Sequence, residues 1–526
     1  MSFAPPDVVS DRIWGIDPAA TVNASLASQR PLGLLLLSQH VTGAVAALDS
    51  AVASLATLVG TSEPSLRLLL ALLVGYPIAV FHRLAVSGAP SVVQNAFFFG
   101  CGVVLGVFTQ GWDVCHALVC ILVQYLVLVA CGKTYVSPLF SVVFQLAYLL
   151  FGYWQTETED YNFSWTLSHC VLTLRLIGIA FDYYDGQQDP ETLSKEQKLN
   201  GLRRCPSFLE LGGHALFPAS FLVGPQFPMK RYKFLIRGDL KRIRDSEGYP
   251  LSPPLGVALG RLVLGLLYTG VYVVGSGYMP VDYAASDDLL NRPLWQRLCL
   301  LVVWAKVSVA KYLSCWLITE GACILSGLSF NGFEEQPDPK DPTKTITKAK
   351  WDGCRNIHVS VYETATEYQH MILCFNTNTN AWVANYIYKR MKFLNKKHVS
   401  HMVAMAFLAV WHGLNFSYYV TFFNEYIIIS RERDFYDLLD RSPVYKYWFS
   451  KKWVRYSLKP LKVLWLWFGL SYAVIPFLLL STDKWWRVYT SLYFHIHVVF
   501  LSYPFLKPSL KKWLQVPDEQ DSKKKD

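Results

Sequence analysis

Apolar residues fall in long runs separated by short polar breaks from Leu66 to Phe505. The runs are Leu66–Leu84, Val92–Phe108, Val114–Cys131, Pro138–Tyr153, Trp165–Phe181, Leu255–Tyr278, Leu298–Leu328, Met402–Ile429, Leu461–Leu480 and Val488–Phe505. An α-helix needs about 20 mostly apolar residues to cross about 30 Å of hydrocarbon. Several runs are shorter and carry Gly, Pro or polar residues. Upstream, Leu34, Leu37, Val41, Val45, Leu48, Val52 and Leu55 recur at helical spacing and predict an extra helix. The pattern predicts an all-α polytopic membrane protein with about 10–12 membrane helices, some of them re-entrant. No internal repeat is visible, which argues against a transporter built on inverted repeats.

Three segments break the pattern. Pro206–Phe227 is apolar enough for membrane depth, yet Glu210, Gly212-Gly213, His214, Pro218 and Gly224-Pro225 interrupt it. Irregular backbone survives at that depth only where protein or a water-filled cavity lines it. Lys230–Arg244 is basic and amphipathic, and Phe234, Leu235, Leu240 and Ile243 are expected to rest on a bilayer. Phe333–Lys350, with Pro337, Pro339 and Pro342 among mixed charges, reads as a solvent-facing connection.

Composition agrees with the pattern. Hydrophobic residues make up 52% and charged residues only 17%, against a usual charged share of about 25%. Mean hydropathy is +0.24. A soluble enzyme and a disordered scaffold are excluded. The net charge of +10 sits between apolar runs. It points to cytoplasmic loops, anionic headgroups and phosphates rather than to nucleic acid. The 11 cysteines are scattered with no zinc-site spacing and read as buried thiols. The first 30 residues lack a basic n-region, so no cleavable signal peptide is expected. Asn23-Ala24-Ser25 is a glycosylation sequon. The chain ends Lys523-Lys524-Lys525-Asp526, a dilysine pattern of endoplasmic reticulum retrieval that would place the tail in the cytosol.

Candidate chemistry centres on His412, in Trp411-His412-Gly413 within the apolar run Met402–Ile429. An ionisable residue at membrane depth is costly and marks a functional site by default; the competing reading is a core histidine bonded to a neighbouring helix. If the run is one helix, His401, Met405, Leu408, His412, Asn415 and Tyr419 form a partly polar stripe facing a pocket. Upstream, Asn376, Asn378 and Asn380 alternate with threonine before an aromatic-rich helix. Their amides suit orienting a substrate or supporting an oxyanion, although one of them is expected to cap the helix. Lys389, Arg390 and Lys392 follow, where phosphates of a nucleotide-bearing cofactor such as coenzyme A could bind, or where they serve as an ordinary cytosolic flank. If Met402–Ile429 is one full span, a cytosolic tail puts these cations in the lumen, against the usual charge bias. A re-entrant element near Asn376 or His412 resolves the conflict.

An Asn-rich buried stretch followed by Trp-His-Gly resembles the membrane-bound O-acyltransferase family. The middle segment with Glu210 and Phe221-Leu222-Val223-Gly224-Pro225 is similar to that family's, and Trp351-Asp352-Gly353-Cys354 fits its lysophospholipid acyltransferase branch. Within the branch the similarity is greatest to the endoplasmic reticulum enzymes that acylate lysophosphatidylcholine and prefer polyunsaturated acyl-CoA. The sterol and diacylglycerol branch signature, Phe-Tyr-x-Asp-Trp-Trp-Asn, does not occur.

The resemblance implies transfer of an acyl group from acyl-CoA to the sn-2 hydroxyl of lysophosphatidylcholine, with lysophosphatidylethanolamine and lysophosphatidylserine as further acceptors. It implies His412 as general base and Asn376 orienting the thioester, in a buried catalytic chamber lined by Trp351, Asp352, Asn380, Trp411 and Asn415. Lys389, Arg390 and Lys392 would bind acyl-CoA, a co-substrate. No covalent acyl-enzyme is expected, since no Gly-x-Ser-x-Gly nucleophile motif occurs; no metal or bound cofactor is expected either, since His495 and His497 point apart on a helix. The expected organisation is an N-terminal segment 1–65, an acyltransferase domain 66–505 and a cytosolic tail 506–526, in the endoplasmic reticulum membrane. A second copy of the chain, as a homodimer, is a further candidate partner. Two alternatives stay open at this point: a peptide O-acyltransferase of the same family, and a membrane transporter.

Overall fold

A computed structural model describes residues 32–156, 164–244, 248, 250–337 and 345–517. The glycosylation sequon at Asn23 and the dilysine tail lie outside the described residues. The chain divides into two compact units, through Leu66 and from Arg67 onward. The first holds the helix Leu32–Val59.

Helices then follow the apolar runs: Glu63–Phe81, Ser91–Gln110, Val114–Cys131, Val136–Thr156, Thr166–Asp185, Leu255–Tyr278 and Leu294–Ser326 come first. By length and composition, five segments can cross a membrane: Glu63–Val86, Ser91–Cys131, Val136–Thr156, Leu255–Tyr278 and Leu294–Ser326. The protein is an all-α polytopic membrane protein. The other runs fold as shorter or more polar helices, including Lys397–His412, Phe416–Arg441, Lys452–Ala473 and His495–Trp513. The one sheet among the described residues is a hairpin pairing Phe333–Pro337 with Thr345–Ala349, where a plain connection was expected.

The interrupted Pro206–Phe227 stretch is folded around one side chain. Ser207 and Glu210 cap the helix Phe208–Ala215 reciprocally, so Glu210 opens a helix rather than breaking a span. Beyond Ala215 the backbone is irregular and buried. Arg175, only 2% exposed on Thr166–Asp185, donates to the carbonyls of His214, Ala215, Ser220 and Pro225 and to Ser220 Oγ. Buried carbonyls that no helix satisfies are thereby paired.

The basic segment after it meets protein at two of the residues expected to face a bilayer, Phe234 and Leu235. Its helix Met229–Ile236 buries Tyr232, Leu235 and Ile236 in the same core as Phe98 and Phe217, and Phe234 stacks on Phe330.

Candidate active site

The run Met402–Ile429 is two helices, not one. The first ends at His412 and the second begins at Phe416. Gly413 makes the break, with φ 144° and ψ −175°, a region where a side chain is strained. A Cβ there would also stand 3.0 Å from the Tyr418 ring. The chain then doubles back: the rings of His401 and Tyr426 lie 5.2 Å apart, which no continuous helix allows. The stripe expected to run from His401 to Tyr419 therefore stops at His412. Asn415 instead caps the returning helix, its Oδ1 accepting the Ser417 N–H at 2.9 Å.

The reversal also removes the charge conflict, because residues on either side of the hairpin need not lie across a span from each other. The helix Lys397–His412 has 16 residues and is about 24 Å long, short of the roughly 30 Å of hydrocarbon a span needs.

Each residue of Trp411-His412-Gly413 has its own task. Trp411 anchors the helix end: its Nε1–H donates to the Cys170 carbonyl at 2.8 Å, and its carbonyl accepts from Tyr153 Oη at 3.1 Å. Gly413 turns the chain. His412, at the tip, is half-buried among aromatic rings, with centroids of Tyr418, Phe422 and Phe477 at 5.6, 5.3 and 5.1 Å. No hydrogen bond to its ring nitrogens forms among the described residues.

Asn376 precedes the helix Thr377–Val383, which continues through Ala384–Leu394. Its backbone is left-handed, φ 47° and ψ 44°, a conformation asparagine tolerates better than most residues. A neighbouring segment fixes its side chain. Residues 355–358 run antiparallel to 374–377, through His358 N–H to Cys374 O and Thr377 N–H to Asn356 O. Asn356, 2% exposed, donates from Nδ2 to Asn376 Oδ1 at 3.0 Å and accepts from the Asn378 N–H at 3.1 Å. The Asn376 carboxamide oxygen is thus engaged, and its NH2 is the free end. Asn378 donates to the Arg355 carbonyl at 2.7 Å. Asn380 donates to the carbonyls of Ile372 and Phe375, closing the end of the helix Tyr368–Cys374.

Helix pairing sets the relation between His412 and Asn376. The helix after Asn376 packs antiparallel to Lys397–His412: Ser400 Oγ donates to Met391 O, and Trp382 stacks on Phe407 with centroids 5.7 Å apart. Counted from that stack, Asn376 lies about 9 Å along and His412 about 7.5 Å along in the same direction. Both stand at one level. A chain of rings joins them: His412 to Phe477 at 5.1 Å, Phe477 to Tyr312 at 6.4 Å, Tyr312 to Trp316 at 6.2 Å, and Trp316 to Phe375 at 4.9 Å.

The basic residues stand at the far end of the same helix. Lys389, Arg390 and Lys392 line a polar cavity of about 370 Å³ with Asp182, Asp185, Ser194, Glu196 and Asn385. Arg390 forks onto Asp185, with one bond of 2.8 Å and a second shorter one, and lies over the Phe181 ring. Its guanidinium is committed to the buried carboxylate, so it holds the cavity wall. Lys389 bonds Asn385 and pairs with Glu196 at 3.3 Å, and Lys392 is exposed. Trp351 and Asp352 stand apart from His412, at the base of the hairpin. Trp351 packs on Phe330, and Asp352 accepts from Asn331 and faces Lys350.

Sequence reasoning missed Asn356 and the rings of Tyr418, Phe422, Tyr312, Trp316 and Phe477. A lone buried asparagine carries no periodic signal, and the rings come from three separate apolar runs.

A model of the membrane-bound O-acyltransferase family matches residues 150–479. The chain is 41% identical over 476 residues to the lysophospholipid acyltransferase 5 of Homo sapiens, covering 89% of this chain and 93% of that one. To the protein of the same name from Mus musculus it is 40% identical over 480 residues, 91% and 95% of the two chains. The Caenorhabditis elegans protein of that name is 33% identical over 456 residues, 86% and 94% of the two.

Proposed function

The chain belongs to the membrane-bound O-acyltransferase family and is an acyltransferase, and from that premise we propose that it moves a fatty acyl group from acyl-CoA to the sn-2 hydroxyl of a lysophospholipid. The relatives' names support the acceptor class. The observation that carries the chemistry is the common level of His412 and Asn376 on two antiparallel helices.

In this reading a neutral His412 takes the proton of the acceptor hydroxyl as its oxygen attacks the thioester carbonyl. The carbonyl oxygen gains charge, and Asn376 Nδ2–H donates to it. The tetrahedral intermediate collapses, the carbon–sulfur bond breaks, and His412 returns the proton to the leaving thiolate. Ester and free thiol result, with no acyl-enzyme. The ring of Tyr418, Phe422 and Phe477 around His412 excludes water that would hydrolyse the thioester. Lys389 and Lys392, at the polar cavity, would hold the donor's phosphates, with Arg390 as the strut between them and Asp185.

Lysophosphatidylcholine is the favoured acceptor, ahead of the ethanolamine and serine forms, and the endoplasmic reticulum membrane the favoured location. The test is purified protein in detergent, polyunsaturated acyl-CoA, and choline, ethanolamine, serine and inositol lysolipids in competition. Preferential formation of phosphatidylcholine is expected. Preference for lysophosphatidylinositol would refute the headgroup assignment, and thiol release with no lipid product would refute the acceptor class.

A further inference from the structure

Two arginines and one glutamate meet beside two candidate spans, outside the residues assigned above. Glu320, on Leu294–Ser326, is fully buried. Its Oε1 lies 3.2 Å from Arg261 Nε and 3.3 Å from Arg355 Nε. Its Oε2 is buried and has no hydrogen-bond partner among the described residues. Arg261 belongs to the candidate span Leu255–Tyr278 and Glu320 to the span Leu294–Ser326.

Both arginines are held by their inner nitrogen alone. Their side chains keep 23% and 27% exposure, and no other hydrogen bond or ion pair of either guanidinium forms among the described residues. The outer NH2 groups are therefore free. Two cations against one carboxylate leave one positive charge uncompensated; the nearby Asp352 is faced by Lys350 at 3.8 Å. The surplus cation beside this buried carboxylate has no anion among the described residues, which leaves it available to an anionic ligand. Arg355 is also tied to the proposed reaction centre, since its carbonyl accepts from Thr377 Oγ1 and Asn378 Nδ2, and the next residue, Asn356, bonds Asn376.

We propose that Arg261 and Arg355, aimed by Glu320, bind the phosphate of the acyl acceptor. The inference rests on the lysophospholipid reading above and names the group that distinguishes that acceptor. Arginine forks match phosphate oxygens in geometry and charge. One spare positive charge matches the single negative charge of a phosphodiester. The position fits as well. In a lysophospholipid the phosphate and the reacting hydroxyl sit on adjacent glycerol carbons, so a grip one side chain from the Asn376 turn holds the hydroxyl near the centre. In acyl-CoA the diphosphate and thioester are separated by the whole pantetheine arm.

The test uses detergent-purified full-length protein with two acceptors, lysophosphatidylcholine and a 1-acylglycerol, which has the same hydroxyl and no phosphate. Arg261→Gln and Arg355→Gln should each lower kcat/KM for lysophosphatidylcholine about tenfold or more. Turnover of the acylglycerol and the KM for acyl-CoA should stay within about twofold of wild type. A raised acyl-CoA KM with the acceptor ratio intact would overturn the proposal, because the arginines would then serve the donor's diphosphate. An equal fall for both acceptors would overturn the proposal in favour of a structural role. If the Gln variants fail to fold, Arg355→Lys and competition by glycerophosphocholine replace them; inhibition of wild type that persists unchanged in Arg355→Lys would overturn it too. Failure of the broader reading is distinguishable, because wild type itself would then form no phospholipid.

Discussion

Asn356 offers a sharp test of how Asn376 works. Its Nδ2 donates to Asn376 Oδ1 at 3.0 Å, while its Oδ1 accepts from the Asn378 N–H at 3.1 Å. Asn356→Asp keeps the shape and the acceptor but removes the donor. Two oxygens would then face each other where one proton now lies. The relief is for the Asn376 carboxamide to turn over, pointing NH2 at the new carboxylate and oxygen at the substrate. The carboxylate would then accept from Asn376, from the Asn378 N–H and from Asn378 Nδ2, which already lies 3.3 Å away. The fold should therefore hold. The reaction would lose its oxyanion donor, which costs about 10²–10³ in kcat. Thiol release from acyl-CoA measures this, with kcat expected to fall by that factor and the KM for acyl-CoA to change little. In an Asn376→Ala background the same change should cost no more than about twofold further, since its target is gone. A kcat within about threefold of wild type in Asn356→Asp alone would refute the orientation argument.

Other expectations follow from the same contacts. Arg390→Ala leaves Asp185, 2% exposed, without its fork, and should destabilise the protein by about 3–5 kcal/mol, read as a lower unfolding temperature. Lys389→Ala with Lys392→Ala should raise the KM for acyl-CoA and flatten its salt dependence, leaving kcat near wild type; an unchanged KM would make these lysines structural. Gly413→Ala forces a side chain to φ 144° and toward the Tyr418 ring, so it should abolish turnover even where the protein still reaches the membrane, because the turn that presents His412 is lost. Retained turnover would mean the turn does not set the histidine.

The helices were legible because apolar runs of this length have one solution in a bilayer. The run Val114–Cys131 carries the same bounds in sequence and structure, and Leu255–Tyr278 does too. The hairpin at His412 was not legible as such, since Gly413 inside an apolar run does not announce whether it kinks a helix or reverses it. The charge balance did register the problem: the basic residues 389–397 could not comfortably lie across a full span from the tail. The polar details were hidden for a different reason. Arg390 reads as a free cation until Asp185, far away in sequence, is brought to it by the fold. Asn380 and Asn415 look like site residues, but their amides close helix ends. Asn378 binds the 355–356 turn. Of Asn376, Asn378 and Asn380, Asn376 alone keeps its amide NH2 free of these structural bonds among the described residues, and a pattern of residue types cannot make that distinction.

The central claim is that His412 moves the proton in acyl transfer to a lysophospholipid. The most direct measurement is thiol release and phospholipid formation by detergent-purified wild type and His412→Ala, with polyunsaturated acyl-CoA and lysophosphatidylcholine. Wild type should form both products in equal amounts. The variant, with an unchanged unfolding temperature, should form both at least about 10²-fold more slowly. Turnover in His412→Ala close to wild type would contradict the claim.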